Sequence, residues 1–169
     1  QGQVKIIKQI CDYIETETNG EVELYYSIEN NTLGEAALGS VMELGEENIP
    51  GTFLSESKAH GNSKKFRRGF TTTHKSKIAA CSKLKHWIET DKMGVASKNL
   101  LRELKTFIAR GNTYAAKEGE TDDLVMASIL VIRMSQELIN YEEKAYEYLL
   151  SEDAYDDDDY VQPMPFSML

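Results

Sequence analysis

No stretch of this chain approaches the ~20 consecutive apolar residues that span a bilayer, and Gln1 opens directly into Val4-Lys5-Ile6-Ile7 with no signal-type segment. A soluble, cytosolic-type chain with no membrane partner is therefore expected. Cysteine is scarce. Cys11 and Cys81 fall on helical apolar stripes and make no disulfide framework, so both read as core residues. Their spacing relative to His60, His74 and His86 makes no zinc site. The Gly-x-x-x-x-Gly-Lys-Ser/Thr phosphate loop is missing, which excludes ATP binding in that manner, and no Gly-x-Ser-x-Gly or Cys/His pairing supports acyl transfer. An initiating Met is also lacking, as in a fragment or a processed product.

One further absence is local. From Ser57 to Ile88 there is no acidic residue, while Lys58, Lys64, Lys65, Arg67, Arg68, Lys75, Lys77, Lys83 and Lys85 supply positive charge and all three histidines fall in the same stretch. Glu142 to Tyr160 is the reverse, with Lys144 alone among its many acids. The net charge of −9 therefore conceals a basic block suited to a polyanion. With Phe66 and Phe70 interleaved, Lys64, Lys65, Arg67, Arg68, His74, Lys75 and Lys77 are the candidate phosphate-backbone contacts. The alternative is a solvated basic face. No groove-reading motif accompanies the block, so any such binding is expected to ignore base sequence.

At 169 residues, 41% apolar and 28% charged, the chain can fold as one domain with a real core. Val4, Ile7, Cys11 and Ile14 set a helix over Gln3 to Glu17, stopped by Asn19-Gly20. Val22, Leu24, Tyr26 and Ile28 alternate as a strand, and Asn30-Asn31 ends it. Thr32-Leu33-Gly34-Glu35 matches a capping box for a helix to about Leu44. Thr52 to Glu56 is a short strand, so the succession predicts a βαβ crossover and a parallel sheet. Downstream, the basic block reads as a loop or hairpin and Thr71-Thr72-Thr73 as a short strand. A helix then runs from about Lys75 to Glu89, with Ile78, Cys81, Leu84 and Ile88 inward and Lys77, Lys83 and Lys85 able to face out. Trp87 is expected in the core or an interface. Ser97 caps a helix burying Leu100, Leu101, Leu104, Phe107 and Ile108, ended by Gly111-Asn112, and Thr113 to Ala116 is extended. The longest helix follows, with Leu124, Ala127, Val131, Met134, Leu138, Tyr141, Ala145 and Tyr148 on one face; its first half is apolar nearly all round, so it should lie against a sheet. Residues 1–150 form the domain, and 151–169, with Asp156 to Asp159 and Gln162-Pro163-Met164-Pro165-Phe166, an acidic flexible tail.

Two acidic positions stand at element boundaries. Asp122 and Asp123 open the longest helix, where Thr121 is a good N-cap and first-turn acids are favoured by the helix dipole. Capping is one reading of the pair. The other is metal ligation, since carboxylate oxygens are what a hard divalent cation takes. Glu29 comes at the carboxyl end of a strand, where ligands of open α/β sheets gather, although a strand-end acid can simply be solvated. Acids beside a basic surface are what two-metal phosphodiester cleavage needs.

Thr121-Asp122-Asp123-Leu124-Val125-Met126-Ala127, Ile28-Glu29-Asn30-Asn31 after a strand, Gly69-Phe70-Thr71-Thr72 before a Lys-rich helix, and Leu101-Arg102-Glu103-Leu104-Lys105-Thr106-Phe107 together resemble the C-terminal nuclease domain of the terminase large subunit of tailed phages. The resemblance runs over residues 1 to about 150. It implies an α/β, RNase H-like (resolvase/integrase-type) fold with a mixed sheet flanked by helices. It also implies a Mg²⁺- or Mn²⁺-dependent endonuclease that cuts concatemeric double-stranded DNA during viral genome packaging. The implied partners are a portal protein, a terminase small subunit and the protein's own ATPase domain, in the host cell cytoplasm and transiently at the procapsid portal. Carried over, Glu29 is the second metal-binding acid, Asp122 the third, and Asp123 a neighbour that assists or substitutes. The family's first acid lies on an opening strand with no counterpart here, because Asp12 falls in a helix; the chain then reads as N-terminally truncated and weakly active alone. A non-catalytic DNA- or portal-binding module and another RNase H-like resolvase or integrase stay open.

Overall fold

A computed structural model of the chain describes residues 2–56 and 68–150. The basic residues Lys58, Lys64, Lys65 and Arg67, with Gly61 and Phe66, and the acidic tail 151–169 lie outside the described residues. The architecture is mixed α/β: α1 (Gly2–Glu17), β1 (Tyr25–Tyr26), α2 (Thr32–Leu44), a 3-10 turn (Glu46–Asn48), β2 (Thr52–Phe53), α3 (His74–Glu89), α4 (Lys98–Thr106), β3 (Phe107–Arg110), β4 (Thr113–Ala116) and α5 (Asp123–Leu150). Two compact units divide the chain, Gln1–Ser135 and Gln136–Leu169. The site lies in the first; the second carries α5 on to Leu150.

The expected crossover is present. β1 and β2 pair in parallel, Tyr25 opposite Thr52 and Tyr26 opposite Phe53, with α2 between them. Backbone bonding continues past the named strands: Thr52 N–H donates to Leu24 C=O (2.7 Å), Leu54 N–H to Tyr26 C=O (2.8 Å) and Phe70 N–H to Ile28 C=O (3.1 Å). The partner edge of β1 is thus built from two pieces of chain. Tyr25 pairs with Thr52, an offset of 27 (52 − 25), whereas Glu29 pairs with Phe70, an offset of 41 (70 − 29). The register jumps by 14 residues (41 − 27), placing Gly69 in the slot after Leu54. Gly69 has φ +75°, and a Cβ there would strike the Ile28 carbonyl oxygen. Only glycine fits where the two pieces meet.

One core gathers Val4 and Cys11 of α1, Tyr26 and Ile28 of the β1 segment, Leu38 and Val41 of α2, and Ile49. Another joins Ala80 and Leu84 of α3 to Val125, Ile129 and Ile132 of α5, with Trp87, Leu100, Leu104 and Phe107 packed against it. At roughly 1.5–3 kcal/mol for each fully buried large aliphatic side chain, the three α5 residues anchor the start of that helix firmly.

Several expectations need correction. Thr71 to Thr73 form no strand, Thr73 being spent as the N-cap of α3, and Leu101, expected in the core, is 42% exposed on α4. The α2 cap is Asn31, whose side chain accepts from Gly34 N–H, so Thr32 is the first helical residue. Asn caps as well as Thr does, and it stands one residue earlier. Phe107 and Ile108 leave the helix for an antiparallel hairpin, Phe107 opposite Ala116, turned by Gly111-Asn112; a two-residue turn between aromatic and β-branched positions overrides helical spacing. The buried face of α5 is Val125, Ile129 and Ile132, while Leu124 and Val131 are 40% and 51% exposed. It packs on α3, with Phe107 of the β3–β4 hairpin against the same cluster. Lys77 does not point freely outward, because its ammonium lies over the Phe107 ring, 5.7 Å from the centroid.

Candidate functional site

Glu29 follows the β1 segment at its carboxyl end, half-buried, bridged in parallel to Phe70. Asn31 Nδ2 donates to Glu29 Oε2 (2.9 Å), and Asn31 Oδ1 accepts from Gly34 N–H (2.8 Å). One asparagine therefore caps α2 and orients the carboxylate beside the helix's positive end. Gly34 permits the approach, because a Cβ at that position would overlap the Glu29 carbonyl oxygen.

Asp122 is the N-cap position of α5, its carbonyl accepting from Met126 N–H (2.8 Å). Its side chain does not cap the helix. Leu124 N–H and Val125 N–H donate instead to Glu103 Oε2, at 2.7 and 3.2 Å, and the Thr121 hydroxyl donates to Glu103 Oε1 at 3.0 Å. The expected Thr121 cap is thereby replaced by a carboxylate from α4. Among the described residues, neither Asp122 nor Asp123 has a side-chain hydrogen bond or ion pair. Asp122 is half-buried and Asp123 exposed. Burial chiefly raises the pKa of the Cys81 thiol, Lys77 lowers it and the Asp122 charge raises it.

The described contacts do not join Glu29 to Asp122. The α5 residue that reaches the Glu29 region is Arg133. Its guanidinium lies 5.1 Å from the Phe70 ring centroid, and its Nη2 donates to Thr71 C=O (3.2 Å) and Glu56 Oε1 (2.7 Å). Arg133 stands eleven residues beyond Asp122 (133 − 122), about 16 Å along a helix axis. Among the described residues, no three or more Asp, Glu, His or Cys side chains cluster as a metal cage. Each carboxylate has the donor chemistry of a hard-cation ligand, and Asp122 has that oxygen unspent.

The basic candidates divide. His74 and Lys75 are exposed on the first turn of α3, where Thr73 and Ser76 form a capping box and no acid is present. Arg68 pairs with Glu46 and lies over the Phe53 ring at 5.3 Å, so its charge is already engaged. Lys64, Lys65 and Arg67 are outside the described residues.

Two residues with structural roles here are not singled out by sequence pattern. Glu103 is 8% exposed, and its signal is its place on the apolar stripe of α4 between Leu100 and Leu104. Arg133, 6% exposed, sits four residues after Ile129 on the buried face of α5.

No protein-family model matches the chain. Among the described residues, no helix is long and apolar enough to cross a membrane.

Proposed function

We propose that this chain is the nuclease part of a phage DNA-packaging terminase large subunit. In this reading it has an RNase H-like fold and cuts concatemeric double-stranded DNA with Mg²⁺ or Mn²⁺. The observation that carries the proposal is the unspent carboxylate of Asp122 at a helix end whose capping donors are taken by another residue. Capping is the plain explanation for an acid at that position, and Glu103 fills that role instead. Glu29, oriented by Asn31 at the end of a parallel strand pair, is the second candidate ligand, and no described contact joins it to Asp122.

Bound divalent ions would supply water activation and stabilisation of the leaving oxygen. The chain's own residues hold and orient. Asp122, with Asp123 next to it in the chain, and Glu29 offer oxygen ligands at two separate places. Lys75 places positive charge at the positive end of α3, with His74 next to it in the chain, an arrangement that opposes the dipole by about 0.3–1 kcal/mol and favours an anion such as a DNA phosphate. The portal, small-subunit and ATPase partners, and host cytoplasm as the location, follow from the same reading.

Mn²⁺ titration of the chain tests it. Asp122→Asn and Glu29→Gln should each weaken binding roughly 10-fold or more, with thermal midpoint and DNA affinity held. Mn²⁺ affinity that ignores Asp122→Asn sinks the nuclease reading and leaves a DNA- or portal-binding module.

A further inference from the structure

α1 meets the rest of its unit through one face. Val4 and Cys11, two turns apart, are buried in the first core, and Val4 and Lys5 line a cavity with Ser40, Glu43 and Leu44 of α2. On the opposite flank Ile6, Ile10 and Tyr13 follow at steps of four and three and are 55%, 54% and 64% exposed. That spacing sets three large apolar side chains in one row along the helix. Apolar residues scattered singly on a surface are ordinary, but a contiguous row marks an interaction site. The charges beside the row indicate what covers it. Up to Ile10 the helix carries Lys5 and Lys8 and no acid; from Cys11 to Glu17 it carries Asp12, Glu15 and Glu17 and no cation. This order is the reverse of what the helix's own dipole favours. Lys8 is engaged with Asp12 at 2.7 Å, whereas Lys5, Glu15 and Glu17 have no ion pair among the described residues. A second α1 laid antiparallel offsets the unfavourable order, because each acidic last turn then lies beside the positive end and Lys5 of the other. A parallel partner would set like charges side by side.

We propose that this face of α1 is a self-association surface, on which a second copy of the chain packs through its own α1, antiparallel about a two-fold axis. Ile10 lies near the axis and meets its counterpart, while Ile6 of each copy meets Tyr13 of the other. Such a contact uses the same patch on both copies and closes at two. The helix is about 24 Å long at 16 residues, so the patch is small beside a standard interface and the dimer is a reversible one. Nothing in this depends on the acidic site or on the nuclease reading.

Sedimentation equilibrium of the full chain over a dilution series tests the proposal, with far-UV circular dichroism checking that each variant is folded. The parent is expected to pass from dimer to monomer on dilution. Ile10→Glu sets two like charges against each other in an apolar contact and should weaken self-association roughly 10-fold or more. Its helical signal should not change, since the side chain is exposed in the single chain. Tyr13→Glu, at the most exposed of the three positions, answers the same question should Ile10→Glu not fold. Lys5→Glu and Glu17→Lys should each weaken association about two- to tenfold, because two-fold symmetry counts every exposed charge contact twice. The double variant should recover most of that loss. A monomer at every concentration overturns the proposal. A dimer indifferent to Ile10→Glu and Tyr13→Glu also overturns it, since the contact then lies elsewhere, and a double variant no stronger than either single one rules out the antiparallel order.

Discussion

Tyr26 shows how a single buried group can work against its own fold. Its ring packs edge-on to Phe53, centroids 5.3 Å apart at 76°, yet its hydroxyl finds no hydrogen-bond partner among the described residues. Burial chiefly raises its pKa above the ordinary 10.0, with Cys11 adding to the rise and Arg68 opposing it. A phenol held protonated by the fold gives stability that is present below pH 10 and lost as pH climbs through the raised value. Tyr26→Phe should therefore leave stability unchanged or raise it by up to about 1 kcal/mol in urea unfolding, and should lessen the alkaline loss. A fall well beyond that would mean the hydroxyl is satisfied after all. Glu29, Asp122 and Asp123 were legible as acids at element boundaries. Whether Asp122 caps its helix was not, because the deciding acceptor is Glu103, 21 and 22 residues before Leu124 and Val125 in the chain.

Among elements, those with local punctuation were legible. Asn19-Gly20 after α1, Ser97 before α4 and the β1–α2–β2 crossover could be read from turn residues and periodicity. The face of α5 could not. With apolar residues on nearly every side, period alone does not choose between Leu124 and Val125; packing on Ala80 and Leu84 of α3 chooses the latter. The end of α4 was misplaced because Phe107 and Ile108 satisfy helical spacing and strand preference equally well. The start of α2 yields a sharp prediction. Gly34→Ala improves intrinsic helix propensity, yet it should destabilise the protein by about 1–3 kcal/mol, because the new Cβ meets the Glu29 carbonyl. A raised thermal midpoint would show that the β1-to-α2 junction relaxes freely.

On the scale of the whole molecule, charge is segregated: a basic block in the middle and acids toward the end of a chain with net charge −9. If the basic block meets DNA backbone, log affinity should fall linearly with log salt. Neutralising Lys64, Lys65, Arg67 and Lys75 together should then flatten the slope by about 0.9 for each phosphate that is no longer neutralised. Arg68, engaged with Glu46, should contribute less than its neighbours. Filter binding across a salt series checks both, and an unchanged slope removes the block from the interface.

The root of that block is fixed. Leu54 and Gly69 occupy successive slots along β1, Gly69 N–H donates to Ser55 Oγ (3.0 Å), Glu56 N–H donates to Gly69 C=O (3.1 Å), and Arg133 holds Glu56. For the sheet, both anchors of this stretch are set by bonds among Ser55, Glu56 and Gly69. Doubling the length of such a closed excursion costs only about 0.6 kcal/mol. Insertions between Glu56 and Arg68 should therefore leave the Glu29–Phe70 bridge in place, so the number of cations carried there can be changed independently of Glu29.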